Sequence, residues 1–360
     1  MIWSQYPARV RVPATSANLG PGFDALALAL TRYDEVEAQI TGGGLTVTVS
    51  GEGEQTAAAG EQHLVVRAMR TAFGAMGGQP PGLALRCVNA IPHGRGLGSS
   101  AAAVVSGVLA ARALVKGGAD LLPDADVLAL TVDLEGHPDN VAACLAGGLT
   151  IAWRGSGKPS VGLVRLTVLD GLEAVACVAP TAVATSDARR VLPELVPHAD
   201  AAANAARSAL LVAGLTSDPA VLFDATEDFL HQRYRAAVMP QTADLLGRLR
   251  RAGVAAVVSG AGPSILAMIA AGQQPGAEVV DSIARETGIT WDVIPLDVDR
   301  QGAALQPRPG APLPDSRQGE SFHQAPGAGV QPAYGSSQDR MASSATQGPV
   351  SGECRGLLWC

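Results

Sequence analysis

The sequence predicts an α+β protein with two domains. Segments with the two-residue period of strands are interspersed with segments that have the 3.6-residue period of helices. A short stretch rich in Gly and Ser at residues 154–160 separates two differently patterned halves. A chain of 360 residues is long enough for two domains with a hydrophobic core each. We place the domains at residues 1–155 and 156–300, followed by a tail at residues 301–360.

The first half predicts strands and helices in alternation. Residues 45–50 alternate strictly between apolar and polar side chains, which predicts a strand with one face in solvent. Residues 61–76 place apolar side chains on one helical stripe, which predicts a helix that faces a core. A helix at 99–115 is apolar nearly all round and should lie between layers. The other predicted elements are strands at 9–12, 25–30, 34–40, 83–88 and 149–153, and helices at 124–135 and 141–146.

The second half predicts an antiparallel sheet covered by helices, with split βαβ units. After residue 301, Pro, Gly, Ser and Gln dominate and apolar periodicity ends, so we expect the tail to be disordered. The predicted strands lie at 161–169, 173–179, 254–258, 265–269 and 290–298, and the predicted helices at 186–196, 200–214, 218–232, 240–252 and 277–287.

Composition favours a cytoplasmic globular protein over a nucleic-acid-binding or membrane protein. A net charge of -7 and a pI near 5.4 argue against nucleic acid and membrane surfaces, because both attract basic patches. The longest apolar run, residues 101–115, is short and interrupted by Arg112, and residues 1–12 lack the apolar core of a signal peptide. The five cysteines have no Cys-x-x-Cys spacing, which indicates small buried residues in a reducing compartment.

Residues 92–103, PHGRGLGSSAAA, predict an anion-binding turn at the start of a helix. Three glycines free the backbone, and exposed N–H groups at a helix start bind phosphate without a positive side chain. The alternative is a glycine-rich turn capped by serine. The only two lysines, Lys116 and Lys158, lie outside glycine-rich motifs. This arrangement excludes a P-loop and a protein-kinase fold, which both need a lysine on the phosphates.

Two further clusters of polar residues, at 13–24 and 135–140, are candidates for a functional site. The second places two carboxylates, an imidazole and an amide within six residues at a helix break. Each side chain also has a structural alternative, such as a helix cap or a turn. Arg189 lies on a predicted helix in the second half and Arg235 lies just beyond one, and pattern alone predicts that both are simply solvated.

Together, residues 13–24, 92–103 and 259–264 resemble the three motifs of the GHMP kinases, the superfamily of galacto-, homoserine, mevalonate and phosphomevalonate kinases. Within it, residues 16–24 (SANLGPGFD) and 137–140 (HPDN) are most similar to the homoserine kinases. The resemblance covers about residues 8–300. It implies an N-terminal domain like ribosomal protein S5 and a ferredoxin-like C-terminal domain. The implied reaction transfers the γ-phosphoryl group of ATP to the side-chain hydroxyl of L-homoserine, in threonine biosynthesis.

The resemblance also implies roles for individual residues. Ser100 and Glu135 would hold Mg²⁺, because a hydroxyl and a carboxylate suit a hard ion that keeps several waters. Asp24 would bind the substrate ammonium, and Arg189 and Arg235 its carboxylate. The implied ATP-binding residues are Pro92, His93, Gly94, Arg95, Gly96, Leu97, Gly98, Ser99, Ser100, Ala101 and Ala102. The implied amino-acid pocket consists of Asn18, Asp24, His137, Asp139, Asn140, Arg189 and Arg235, with Asn140 and Arg189 as the catalytic residues.

Some expectations concern mechanism and partners. Asn140 stands where some superfamily members have an aspartate base, so we expect no dedicated base and a late loss of the hydroxyl proton. His63 stands where an asparagine is expected near the adenine pocket. Two alternatives stay open: a GHMP kinase for another alcohol, such as mevalonate or a sugar, and an inactive regulatory relative. L-Threonine is a candidate feedback ligand, and a homodimer is the default expectation.

Overall fold

The computed structural model describes residues 1–55, 60–156 and 160–307, and these contain two sheets. The larger sheet has seven strands in the order β11-β1-β2-β4-β3, with β5 paired to β2 and to β6. The smaller has the order β10-β7-β9-β8 and is antiparallel throughout. The strands are β1 (Ala8–Ala17), β2 (Leu26–Thr41), β3 (Gly44–Gly51), β4 (Gly82–Asn89), β5 (Leu149–Arg154), β6 (Val161–Leu166), β7 (Leu172–Val178), β8 (Ala256–Val258), β9 (Ile265–Ala270), β10 (Asp292–Leu296) and β11 (Ala304–Leu305).

Helices accompany both sheets, and short 3₁₀ turns lie at Gly60–Gln62 and Pro219–Val221. Among the residues that the structure describes, none of the helices is long and apolar enough to cross a membrane. The helices are α1 (Leu64–Ala75), α2 (Ser99–Ala113), α3 (Gly118–Leu121), α4 (Asp124–Glu135), α5 (Asp139–Ala146), α6 (Thr185–Arg190), α7 (His198–Thr216), α8 (Leu222–Ala225), α9 (Gln232–Arg235), α10 (Pro240–Arg251) and α11 (Ala277–Glu286).

Helix α2 lies at the centre of the main core. Its alanines and valines are buried on nearly all sides, and it packs against α1, α4, α5, β1 and β2. Small side chains allow this close packing: a Cβ on Gly107 would lie 2.7 Å from the carbonyl oxygen of Val65. The predicted helix between layers is therefore confirmed. Because α2 is held on every side, the loop that precedes it is attached to a rigid element.

The larger sheet differs from the prediction in its strands and their pairing. β2 is one continuous strand where two were predicted, and β1 continues to Ala17 past a register shift between Pro13 and Ala14. Residues 42 and 43 connect β2 to β3, but the two strands do not pair with each other, because β4 lies between them. β3 and β4 are instead parallel, with α1 between them in the chain.

Other differences concern residues 154–307. β6 was predicted as the first strand after the linker, yet it pairs with β5 in the larger sheet. The helix predicted at 186–196 ends at Arg190, before Pro193, and the one predicted at 218–232 is broken into short turns. Within the predicted tail, Ala304 and Leu305 pair with β1. The rest of the tail, residues 308–360, and linker residues 157–159 lie outside the described residues, and the domain boundaries stay a prediction.

The cysteines that the structure describes behave as small buried residues, as predicted. Cys87, Cys144 and Cys177 are free and buried. Burial raises the pKa of the Cys87 and Cys177 thiols to about 12. The thiolate, which is the reactive form, is therefore scarce at neutral pH.

Candidate active site

Three loops meet at the amino-terminal end of α2: loop 1 (residues 18–24), loop 2 (residues 92–98) and loop 3 (residues 259–264). Ser259 Oγ donates to the Gly96 carbonyl at 2.7 Å and lies 2.8 Å from Ser16 Oγ. The Gly260 N–H donates to the Ala17 carbonyl at 3.0 Å. The structure thus brings together three motifs that are far apart in the chain. The cleft between them is lined by Asn18, Gly94, Gly96, Gly98, Ser99, Ser100, Glu135, His137, Asp139, Asn140, Val183, Thr185, Arg189, Arg235, Gly260, Ala261 and Gly262.

Loop 2 requires its glycines. Gly94, Gly96 and Gly98 all have positive φ, at 65°, 77° and 71°. A Cβ on Gly96 would lie 2.2 Å from the Ser259 carbonyl oxygen, and one on Gly98 would lie 1.9 Å from Thr15 Oγ1. Only glycine allows both the backbone conformation and this close approach of loops 2 and 3.

The start of α2 offers free backbone donors to the cleft. The helix begins at Ser99, and no side chain among the described residues caps it. The Ala102 N–H is the first to bond back, to the Gly98 carbonyl at 2.9 Å, so the preceding N–H groups have no partner within the helix. These donors and the positive end of the helix dipole form an anion-binding site.

Other residues predicted to bind ATP support loop 2 from behind. Leu97, Ala101 and Ala102 are fully buried, so their side chains pack in the core and face no ligand. Arg95 donates through Nη2 to the Pro180 carbonyl at 2.9 Å, which ties loop 2 to the segment before α6. His93 is exposed, and Pro92 is buried beside it.

Ser100 and Glu135 are neighbours. Ser100 Oγ donates to Glu135 Oε2 at 2.8 Å, because Glu135 is the last residue of α4 and its side chain lies against the first turn of α2. Burial raises the pKa of Glu135, and the hydrogen bond from Ser100 opposes the shift. Nowhere in the described residues do three or more His, Cys, Asp or Glu side chains form a metal cluster. One hydroxyl and one carboxylate suit an ion whose other ligands are water and phosphate oxygens.

The start of α5 carries three of the predicted pocket residues. Buried Asp139 accepts the Asn140 N–H at 2.7 Å through Oδ1, which also lies 3.3 Å from His137 Nδ1. The Asp139 carboxylate raises the pKa of His137, because it stabilises the imidazolium. Asn140 Oδ1 accepts a hydrogen bond from Thr15 Oγ1 at 2.8 Å. This bond fixes the amide and leaves its Nδ2 group for a ligand.

Loop 1 is closed by Asn18 and carries an ion pair. Asn18 Nδ2 donates to the Gly260 carbonyl at 2.7 Å, and its Oδ1 accepts the Asp24 N–H at 2.9 Å, so both ends of this amide are used inside the protein. Asp24 accepts two hydrogen bonds from Arg189, at 2.7 and 3.1 Å. The two charges predicted to bind opposite ends of the substrate thus neutralise each other here.

Arg235 is buried, so the prediction of a solvated side chain is wrong. Only 1% of it is exposed. Its Nε donates to the Ala188 carbonyl at 3.3 Å, and its Nη1 donates to the Gly260 carbonyl at 3.1 Å and to His231 Nδ1 at 2.9 Å. Burial, with a smaller effect of Arg189, lowers the pKa of Arg235 to about 10. Arg189 itself is half-buried and paired, as described above.

Sequence reasoning missed several residues that shape the cleft. Thr15 holds Asn140, and His231 holds Arg235. Ser16, near the end of β1, is bonded to Ser259 of loop 3. Phe23 stacks on the His231 ring at 5.2 Å. The spacing of His231 and Arg235, four residues apart, was a usable signal, but His231 fell at the end of a predicted helix and Arg235 just beyond it, and neither position predicts burial.

The family models that match the chain are those of the GHMP kinases, and two relatives that match it are homoserine kinases. The model of the GHMP kinases N terminal domain matches residues 63–148, and that of the GHMP kinases C terminal matches residues 211–289. A homoserine kinase of Streptomyces coelicolor is 50% identical over 299 residues, covering 83% of this chain and 94% of the relative. The homoserine kinase of Mycobacterium tuberculosis is 45% identical over 283 residues, covering 78% of this chain and 89% of the relative.

Solved structures share the fold. The crystal structure of homoserine kinase from Cytophaga hutchinsonii matches with a TM-score of 0.72 at 27% identity, covering 85% of this chain and 99% of that one. The L. major mevalonate kinase, solved with R-mevalonate, has a TM-score of 0.57 at 15% identity, covering 84% of this chain and 97% of that one. At that identity the mevalonate kinase shows a common fold and no more.

Proposed function

The chain belongs to the homoserine kinases, a family of GHMP kinases, and we propose that it transfers the γ-phosphoryl group of ATP to the side-chain hydroxyl of L-homoserine. One observation supports this most strongly. The anion-binding turn, the adjacent Ser100 and Glu135, and the two arginines for a carboxylate line a single cleft, and Asp24 is bonded to one of these arginines, Arg189. A sugar or mevalonate acceptor would not use both an anion for its ammonium and cations for its carboxylate.

The triphosphate would lie on loop 2 and the start of α2. The N–H groups there would bind phosphate oxygens, and the glycines let the backbone approach closely. Ser100 and Glu135 would hold Mg²⁺, since both are oxygen ligands at hydrogen-bond distance from each other. When bound, this ion neutralises charge that develops on the phosphate oxygens.

The amino-acid acceptor would lie between loop 1, α5 and α6. Asp24 would receive the ammonium, and Arg189 and Arg235 the carboxylate. Asn18, His137 and Asp139 would shape the pocket. Asn140 would orient the reacting hydroxyl through Nδ2, because Thr15 already occupies its Oδ1. Arg189 would place its positive charge beside the transferred group.

Both carboxylates that line the cleft among the described residues already accept a hydrogen bond, and we propose that neither acts as a dedicated base. Asp139 is buried and accepts the Asn140 N–H, and Glu135 accepts from Ser100. In the proposed reaction the hydroxyl oxygen forms the new bond to phosphorus while the bond to the β-phosphate oxygen breaks. ADP leaves with that electron pair, and the hydroxyl proton passes late to phosphate or water. A loose transition state needs positioning and charge neutralisation more than a strong base.

Further expectations about partners rest on the same site. L-Threonine carries the same ammonium and carboxylate as L-homoserine, so we propose it as a competitive ligand of this pocket. We keep a homodimer in the cytoplasm as the default assembly and compartment. No binding of nucleic acid or membranes is expected from the charge of -7.

A parallel assay tests the substrate assignment. ADP release is measured with ATP and Mg²⁺ in the presence of L-homoserine, mevalonate or galactose. We expect turnover with L-homoserine only. Glu135→Gln keeps a hydrogen-bond acceptor for Ser100 but loses the charge, so its Mg²⁺ requirement should rise about tenfold or more. Turnover with another acceptor, or nucleotide binding without turnover, would contradict the assignment.

A further inference from the structure

His231 lies directly behind Arg235 in the wall of the cleft. Its side chain is fully buried, and its ring stacks on Phe23 with centroids 5.2 Å apart and planes 27° apart. The same Phe23 ring lies 5.7 Å from the Arg235 guanidinium carbon. His231 lines no part of the cleft itself, so any role in function must act through its neighbours.

The two contacts of the ring fix its tautomer. Arg235 can only donate hydrogen bonds, so His231 Nδ1, 2.9 Å from Nη1, must be the acceptor. Nε2 then carries the proton and donates to the Gly20 carbonyl at 2.9 Å. Asp228, 3.6 Å away, accepts the backbone N–H groups of residues 230–232, which occupies its carboxylate. The ring is therefore held as a neutral acceptor, and burial lowers its pKa to about 4.

Arg235 depends on neutral acceptors alone. Its three partners are two carbonyl oxygens and the His231 ring, and no carboxylate of the described residues forms an ion pair with it. A carboxylate in place of His231 would neutralise the guanidinium and weaken its attraction for a ligand anion. A neutral acceptor orients the guanidinium while its charge stays available. Within the described residues Nη2 makes no hydrogen bond, so this edge is left for the ligand.

We propose that His231 is a positioning residue: as the neutral Nε2–H tautomer it holds Arg235 so that the free edge of the guanidinium faces the carboxylate of the amino-acid substrate. The proposal rests on the proposed function, since it concerns the binding of that substrate. The His231 ring also links loop 1 to Arg235, because its Nε2–H group donates to the Gly20 carbonyl.

Two substitutions of His231, by the shorter amide Asn and the longer amide Gln, distinguish the roles of the two ring nitrogens. His231→Asn places an amide near Nδ1 and keeps an acceptor for Arg235, whereas His231→Gln reaches the position of Nε2 and keeps only the donor to Gly20. We expect His231→Gln to raise the KM for L-homoserine about tenfold or more. For His231→Asn the KM should stay within about threefold of the wild type. The KM for ATP should change less than the KM for L-homoserine in either variant, because the two ring nitrogens contact Arg235 and Gly20 and not loop 2.

Equal KM values for L-homoserine in the two variants, or a larger increase in His231→Asn, would overturn the proposal. An independent readout is the long-range ¹H–¹⁵N NMR spectrum of the wild type. It should show that the His231 ring is neutral and protonated on Nε2 down to pH 5. A ring protonated on both nitrogens near pH 6 would also overturn the proposal. Because this measurement uses the wild type, it tests the proposal even if both variants fail to fold. Failure of the proposed function can be told apart from failure of the positioning role. If the wild type does not turn over L-homoserine, the proposed function is refuted, but the NMR spectrum of His231 is unchanged.

Discussion

Asn140 has its amide oxygen bound to Thr15, which limits what a substitution there can do. An aspartate would keep this acceptor, but its second oxygen would bring negative charge towards the phosphates and would lie close to Asp139. We therefore expect Asn140→Asp to lower turnover about tenfold or more, even though it supplies a base. Steady-state kinetics with L-homoserine and ATP test this. An unchanged turnover would contradict this expectation, and a turnover above the wild type would show that a protein base accelerates the reaction.

His231 should also make stability depend on pH. Its folded pKa of about 4 lies below the ordinary value of 6.5, so between these values the unfolded chain binds a proton that the native ring does not. Stability is therefore lost as pH falls through this window. The loss from pH 7 to pH 5 is about 2 kcal/mol from this group alone.

Urea unfolding of the wild type and of His231→Asn at both pH values measures the effect. The variant lacks the titrating ring, so its free energy of unfolding should fall less between pH 7 and pH 5, by about 2 kcal/mol. Equal pH dependence in the two proteins would mean that His231 is protonated in the native state.

At the scale of residues, sequence reasoning identified side chains better than their surroundings. Ser100 and Glu135 were predicted to share a site, and they are in contact. Residues 235 and 189 were predicted to be solvated, because a pattern cannot show that the chain around Arg235 is folded into the interior. The bond between Asp24 and Arg189 joins residues 165 positions apart, and spacing carries no information about such pairs.

At the scale of elements, loop 2 has the tightest requirement. We expect Gly96→Ala to destabilise the fold and to raise the KM for ATP, because the new Cβ would lie 2.2 Å from the Ser259 carbonyl at a positive φ. The cost should be roughly 2 kcal/mol or more. Thermal unfolding and ATP titration measure both effects.

Gly247→Ala is the matched control. Gly247 lies in α10 with open space around it, so alanine there should leave ATP binding unchanged and stabilise the helix by about 0.5–1 kcal/mol. If both substitutions cost the same stability, the close approach of loops 2 and 3 would not be the cause.

Elements whose existence depends on local pattern were predicted well, and so was the antiparallel smaller sheet, whereas the strand pairing of the larger sheet was not predicted. The stripe of apolar residues in α1 and the glycine stops of α4 and α5 lie in the sequence itself. The parallel pairing of β3 with β4 joins strands that are separated in the chain by α1, and such a pairing leaves no local pattern in the sequence. The broken helices between α7 and α10 follow from tertiary contacts, such as the bond from His231 to loop 1.

At the scale of the whole molecule, β11 supports the cleft from a distance. Ala304 and Leu305 pair with β1, and the Ala303 N–H donates to the Cys144 carbonyl in α5, the helix that carries Asn140. A chain that ends at residue 307 should therefore keep the Tm and turnover of the full chain. A chain that ends at residue 301 should lose roughly 5 °C or more in Tm.

Differential scanning calorimetry and the coupled assay on the two truncated chains test this. Equal stability of both would mean that β11 contributes nothing to the fold. A loss of turnover already at residue 307 would instead assign a function to residues 308–360.

The pair formed by Asp24 and Arg189 has a consequence for how the amino acid is admitted. A zwitterion whose ammonium binds Asp24 and whose carboxylate binds Arg189 replaces this one ion pair with two. Neither the zwitterion nor the pair formed by Asp24 and Arg189 carries net charge. Dissolved salt screens both arrangements to a similar degree. Affinity for the amino acid should therefore vary little with ionic strength, while a molecule that carries only one of the two charges would leave an unmatched ion behind it in the cleft.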